Sequence, residues 1–283
     1  MDLILYNPLS KNNKSNVQTN KLVRQYKKNR TPFRLKSILK VDDITKYLEH
    51  KKEIDKVILL GGDGTINRFV NDIVNYNITQ DIILKPNGSG NDFLRSLKLM
   101  EEKPQYIMES IYDTGFKTYF INGTGMGVDG FVGYLIDKNI NKGIFGYFKA
   151  TIKALLTYIP EPLTVTIDGE THHFEKAYLI TMNNGRYFGG GMKIAPNGNI
   201  NDEYLDVVVA HSANKLQLIF IFLTIYLGKH PKFKKYVFYK RGKHIKAEFT
   251  SPQITQADGE NYYDITSIEA KSTNKPIHFK SFK

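Results

Sequence analysis

The chain has 283 residues, 41% hydrophobic and 24% charged, with 40 Lys and Arg against 28 Asp and Glu for a formal charge of +12. This length has volume for two domains, and the balance excludes a disordered or fibrous polymer. The absence of cysteine excludes disulfides, thiolate catalysis and thiolate-bound metals, while the basic excess selects an anionic partner: nucleic acid, an anionic membrane face or a phosphorylated substrate.

The first third alternates strand and helix signals. LILYNP at 3–8 reads as a strand, followed by an amphipathic stretch near 15–29, the strand PFRLKSI at 32–38, a helix near 42–52 and the strand KVILL at 56–60. After a glycine turn come a helix over 66–76 and the strand DIILKP at 81–86. That βαβ rhythm predicts a parallel sheet with ligands at the carboxyl ends of its strands.

From about residue 118 the pattern becomes β-rich, through KTYFINGTG, LTVTIDGE, AYLITMNN, YLDVVVA, VFYKRGKHIKAEF and SIEAKS, which predicts a second, mostly antiparallel domain. Helices are predicted at Ile144 to Ile159 and Leu216 to Leu227. The latter is interrupted by Gln217 and falls short of the roughly 20 apolar residues of a membrane span. Met1 to Pro8 lacks the basic start and long apolar run of a secretory signal, so an uncleaved cytoplasmic protein is expected.

The sharpest local signal is ILLGGDGTINRFVND at 58–72, where an apolar strand runs into Gly61, Gly62, Asp63, Gly64 and Thr65 before a helix. Glycines let the backbone turn tightly beside a ligand, and the N–H groups of the following helix attract an anion. Asp63 repels a bare phosphate and fits better with Mg²⁺ or a metal-bound water between them. An ordinary capped turn is the competing reading. A second turn, Pro86 to Phe93, follows the next strand, and two such turns on neighbouring parallel strands face one crevice. Ser89 is a candidate phosphate or ribose donor; Asn91 or Asp92 as a plain N-cap is the alternative.

Together these turns resemble the diacylglycerol-kinase catalytic-domain family, related to sphingosine kinases and more distantly to NAD kinases and phosphofructokinases. NGTGMGVDG at 122–130, the stretch 183–209, Gly228-Lys229-His230 and Asp258-Gly259-Glu260 follow in the family's order, so the resemblance covers essentially the whole chain. It implies an α/β nucleotide-binding domain at 1–120 with a parallel sheet of NAD kinase or phosphofructokinase type. A β-rich, sandwich-like domain at 121–274 follows for lipid substrate and metal, and 275–283 returns to the first domain.

The implied activity is transfer of the γ-phosphate of ATP to a lipid hydroxyl, most simply diacylglycerol to phosphatidic acid, with ATP as co-substrate and Mg²⁺ as metal. Residue by residue, the resemblance assigns ATP binding to Gly61, Gly62, Asp63, Gly64, Thr65, Ile66, Asn67, Arg68 and Ser89, with Ser37 at the end of the second strand. Glu260 is the implied general base and Asp63 a further catalytic group. Asp129, in the glycine-rich junction strand read at 122–130, is a candidate to orient the hydroxyl or water near the transferred phosphate, with a structural role as the alternative. A structural Mg²⁺ falls to the Asp202 carboxylate and the carbonyls of Asn199 and Tyr204. The chain departs from the family pattern at Arg68, where a glutamate is usual, and at Glu203, where a glycine is usual. Asp168-Gly169-Glu170 repeats the tripeptide of 258–260, and order along the chain favours the second copy.

A lipid kinase must reach its substrate in the bilayer. Lys142 to Ile159 places apolar residues at helical spacing with Lys149 and Lys153 between them, as an interfacial helix does; packing on the β domain is the alternative. Lys229 to Lys246 is basic with interleaved aromatics, fit for anionic headgroups or for a solvated strand pair. No nucleic-acid-binding module is recognisable, so the expected partners are a lipid substrate and an anionic membrane, with a homodimer compatible, at the inner face of the cell membrane. Two rivals share the glycine turns: a soluble-substrate kinase of the NAD kinase superfamily, and a nucleotide-binding regulator without catalysis, motivated by Arg68 and Glu203.

Overall fold

The computed structural model describes residues 1–10, 16–88, 90–138 and 144–282. The first half runs β1 (Asp2–Tyr6), α1 (Asn16–Lys28), β2 (Phe33–Ser37), α2 (Ile44–Glu49), β3 (Lys56–Gly61), α3 (Asp63–Ile73), β4 (Asp81–Pro86), α4 (Asp92–Leu97), β5 (Gln105–Tyr112), β6 (Lys117–Phe120) and β7 (Gly123–Gly127). The second half runs α5 (Val128–Lys138), α6 (Ile144–Thr157), β8 (Glu161–Ile167), β9 (Glu170–Asn183), β10 (Leu205–His211), α7 (Lys215–Ile225), β11 (Val237–Gly242), β12 (His244–Ala257), β13 (Glu260–Ile277) and β14 (Phe279–Ser281).

The first sheet is parallel, in the order β14-β4-β3-β1-β2. Its strands are apolar on both sides: in β3, Val57 and Leu59 enter one core cluster while Ile58 and Leu60 join Ile4 and Leu22 in another. Burial on both faces is why these strands read as continuous apolar runs rather than alternating ones.

The second sheet runs β11-β10-β9-β7-β12-β13-β5-β6, with β8 paired to β12 and β9, and the pairings are antiparallel. Met126, Val165, Ile180, Val207, Ile245 and Ile268 are among the residues that fill its interior. A separate cluster from α5, α6 and α7 packs on the opposite side through Val132, Leu155, Leu218 and Phe222. The fold is thus an α/β domain with a parallel sheet joined to a β-rich, sandwich-like domain.

Two elements depart from the sequence reading. The run 122–130 is not one glycine-rich strand: β7 ends at Gly127, whose φ of +82° turns the chain into α5. β5 was not anticipated, because Gln105 and Glu109 interrupt its apolar residues. α7 opens with a reciprocal cap, Gln217 N–H donating to Asn214 Oδ1 and Asn214 N–H to Gln217 Oε1, 2.9 Å each, which sets its start.

Candidate active site

β3 and β4 are neighbours with Gly61 level with Pro86, so the turns after them open side by side at the carboxyl edge of the sheet. They touch through bare backbone. A Cβ on Gly62 would lie 2.8 Å from the Gly88 Cα, and one on Gly88 2.3 Å from the Gly62 Cα; glycine at both is a packing requirement. Gly64 differs, since a Cβ there would meet nothing within 4 Å. Among the described residues no atom accounts for its missing side chain, and the open space suits a ligand approaching the start of α3, where Gly62 offers no side-chain cap and the helix end attracts an anion.

Asp63 spans the two turns. Its carboxylate accepts from the N–H groups of Asp92 and Phe93, 2.9 Å each. The N-cap residue of α4, Asn91, sits at φ 56° without a side-chain cap, so Asp63 caps that helix from the neighbouring turn. Thr65 is 4% exposed, and its hydroxyl accepts from Asn7 Nδ2 at 3.0 Å.

The other expected nucleotide residues scatter. Ile66 is buried in the first core, and Arg68 is exposed, its charge acting on Asp72 one turn further along α3. The Ser37 hydroxyl accepts from Leu39 N–H at 3.3 Å at the end of β2, with β1 lying between β2 and β3. Ser89 lies outside the described residues.

A residue read from sequence only as a cap joins the two domains. Asp92, 3% exposed, accepts from Gly190 N–H and from Arg95 Nη1, 2.7 Å each. Burial, with the neighbouring Asp63 charge, pushes its carboxyl up to about 6. Gly190 is the tip of a short loop whose ends, Phe188 and Met192, pair with each other at 3.1 Å. Phe188 and Met192 in turn line an apolar cavity of about 60 Å³, shared by Val128, Leu155, Leu218 and Phe222, in which Asp129, Thr151 and Thr181 are the polar residues. One loop therefore touches the glycine turns at its tip and the apolar cavity at its base.

Asp129 is 8% exposed and accepts from Gln256 Nε2 at 2.7 Å; burial pushes its carboxyl up to about 6. Gln256 Oε1 accepts from Gly259 N–H at 2.8 Å, which links Asp129 to the hairpin that carries Glu260. The hairpin is anchored by Asp258, whose carboxylate accepts from the N–H groups of Ile121, Asn122 and Gly123 at 2.7, 2.9 and 3.1 Å and from Asn67 Nδ2 at 2.9 Å. The Asn67 side chain thus reaches the domain junction. Glu260 itself is exposed at the start of β13.

Residues 2–121 match the diacylglycerol kinase catalytic domain, and residues 123–271 match the YegS C-terminal NAD kinase beta sandwich-like domain. The chain belongs to the diacylglycerol kinase catalytic-domain family. Diacylglycerol kinase of Mycobacterium tuberculosis is 26% identical over 228 residues, 74% of this chain and 71% of the relative. Diacylglycerol kinase of Bacillus subtilis is 26% identical over 221 residues, 74% and 72%. In fold, a crystal structure of a diacylglycerol kinase from Bacillus anthracis is similar at a TM-score of 0.65 and 21% identity, over 99% of this chain and 95% of that one.

The structure places the expected metal residues Asn199, Asp202 and Tyr204 in one loop, with Arg241 beside them. The Asp202 carboxylate lies 3.0 and 2.9 Å from Arg241 Nη2 through its two oxygens, so a guanidinium faces the side chain that was to ligate Mg²⁺. Among the described residues no group of three or more His, Cys, Asp or Glu is placed to hold a metal ion. Nor, among them, is any helix long and apolar enough to cross a membrane.

Proposed function

We propose that this lipid-kinase relative transfers the γ-phosphate of ATP to a membrane lipid hydroxyl, diacylglycerol being the acceptor and phosphatidic acid the product. The observation that carries this reading is the loop 188–192, which places an apolar cavity and the glycine turns at the two ends of one short segment. An apolar lining beside the glycine turns favours an acceptor with an apolar body and a hydroxyl head over a soluble sugar or nucleotide.

In this reading Gly62, Gly64 and the start of α3 hold the phosphates by backbone N–H groups, while Gly88 and Asp63 keep the second turn closed against the first. Mg²⁺ bound to the nucleotide supplies charge neutralisation at the phosphates. Glu260 accepts the hydroxyl proton as the lipid oxygen bonds to phosphorus and the β–γ bridging oxygen leaves with ADP. Asp129, held by Gln256, orients the hydroxyl from the cavity side.

The membrane contact falls to α6 and α7. α7 is apolar on both sides: Leu218, Ile221, Phe222 and Ile225 line the cavity, yet Leu216, Phe220 and Leu223, with Leu227 just beyond the helix end, are 79, 58, 49 and 66% exposed. A helix apolar on every side is normally buried. Exposed Lys149, Lys153, Lys229, Lys232, Lys234 and Lys235 accompany it, so charge complementarity selects an anionic bilayer as its cover.

The test is transfer of label from γ-labelled ATP with Mg²⁺ to diacylglycerol, phosphatidylglycerol or a polyprenol in mixed micelles. Label is expected in phosphatidic acid, reduced about 10²–10⁴-fold by Glu260→Gln. Nucleotide binding without transfer to any lipid would overturn the reading.

A further inference from the structure

We propose that Arg241 on β11 is the resident counter-cation of the loop 199–204, so that the second domain closes without a divalent metal. An ionised carboxylate offers about four lone-pair sites. Asp202 accepts four times: from Tyr204 N–H at 3.0 Å, from Asn199 Nδ2 at 2.9 Å, and from Arg241 Nη2 at 3.0 and 2.9 Å. Both carboxylate oxygens are thus met by donors, one Nη2 straddling the two, and the side chain of Asn199 meets the carboxylate as a donor.

The sheet builds Arg241 into this place. In the antiparallel register of β10 and β11, Asp206 stands directly opposite Arg241, and Arg241 Nε lies 3.4 Å from the fully buried Asp206 carboxylate. Asp206 also accepts from the Tyr239 hydroxyl. The guanidinium carbon lies 5.0 Å from the Tyr204 ring centre, a stacking contact that a planar, weakly hydrated cation makes well.

Glu203, which stands where the family has a glycine, belongs to the same device. Its carboxylate pairs with Lys243 Nζ at 2.9 Å, and Lys243 lies 5.1 Å over the same Tyr204 ring. Three carboxylates, Asp202, Glu203 and Asp206, thus face two fixed cations, Arg241 and Lys243. A divalent ion on Asp202 would have to displace the guanidinium from that carboxylate, where Asp206 and the Tyr204 ring also hold it.

The test uses full-length protein without nucleotide. After dialysis, elemental analysis should find well under one equivalent of Mg, Ca, Mn or Zn, and the thermal midpoint should not move on adding EDTA or Mg²⁺. Arg241→Met should lower the midpoint by roughly 2–4 °C or more. Retention of one equivalent of metal, or a midpoint that falls in EDTA and returns with Mg²⁺, overturns the proposal, as does an Arg241→Met protein that melts with the parent. Should the variant not fold, the metal content and EDTA response of the parent decide, and kinase activity enters none of these readouts.

Discussion

The side-chain amide of Asn67 donates to the Asp258 carboxylate at 2.9 Å, across 191 residues of sequence. This bond ties the helix behind the first glycine turn to the hairpin that carries Glu260. Asp258→Ala strands the N–H groups of Ile121, Asn122 and Gly123 and leaves Asn67 Nδ2 only its bond to the Tyr119 carbonyl, and should cost about 2–4 kcal/mol. Asp258→Asn keeps a residue that tolerates the φ of 48° and should cost less. Urea midpoints check both; an alanine variant as stable as the parent would show that the junction is held elsewhere.

Asp129 gives a pH signature. Burial raises its carboxyl to about 6, above the unfolded value. Its contribution to stability is therefore fully present below the ordinary carboxylate range and is lost as pH rises through about 6. Asp129→Asn has no such titration. The melting temperature of the variant relative to the parent should therefore climb from about pH 4 to just above pH 6 and level off beyond it. The comparison cancels the opposing contribution of His230, which burial pushes down to about 4. A difference that stays flat across this range would mean Asp129 is not a buried titrating group.

The outer face of α7 sets a membrane prediction. Replacing Leu216, Phe220, Leu223 and Leu227 together by serine leaves the cavity-lining residues in place, and should abolish flotation with phosphatidylglycerol-containing vesicles while preserving transfer to lipid in detergent micelles. Zwitterionic vesicles should bind the parent weakly, and salt should weaken the anionic binding. If the substituted protein still floats, the face covers something else. A change of oligomeric state by light scattering on substitution would identify a second copy as that cover.

Much of the fold was legible because burial on both faces leaves its mark in sequence. The runs around Ile4 and Ile58 announce a parallel sheet, and the glycines at 61–64 and 88–90 announce two turns. Which glycine serves packing and which serves a ligand was not legible, since Gly62 meets Gly88 only once β3 and β4 are paired. Asp92 was read as a cap because its partner, Gly190, comes from the other domain. Arg241 gave no local signal at all: its partners Asp202 and Asp206 meet it through cross-strand register.

The two Asp-Gly-Glu tripeptides separate the two kinds of information. By itself the sequence determined the turn: Asp168 and Gly169 have φ of 50° and 89°, Asp258 and Gly259 48° and 90°, the paired positive angles of a two-residue hairpin that Asp-Gly favours. Only the tertiary structure decided what each turn does. The Asp168 carboxylate accepts from the N–H groups of Lys243 and His244 at an exposed edge, while that of Asp258 is enclosed at the domain junction. Hairpin geometry depends on a few adjacent dihedrals, whereas the surroundings of a carboxylate depend on which distant strands are packed against it.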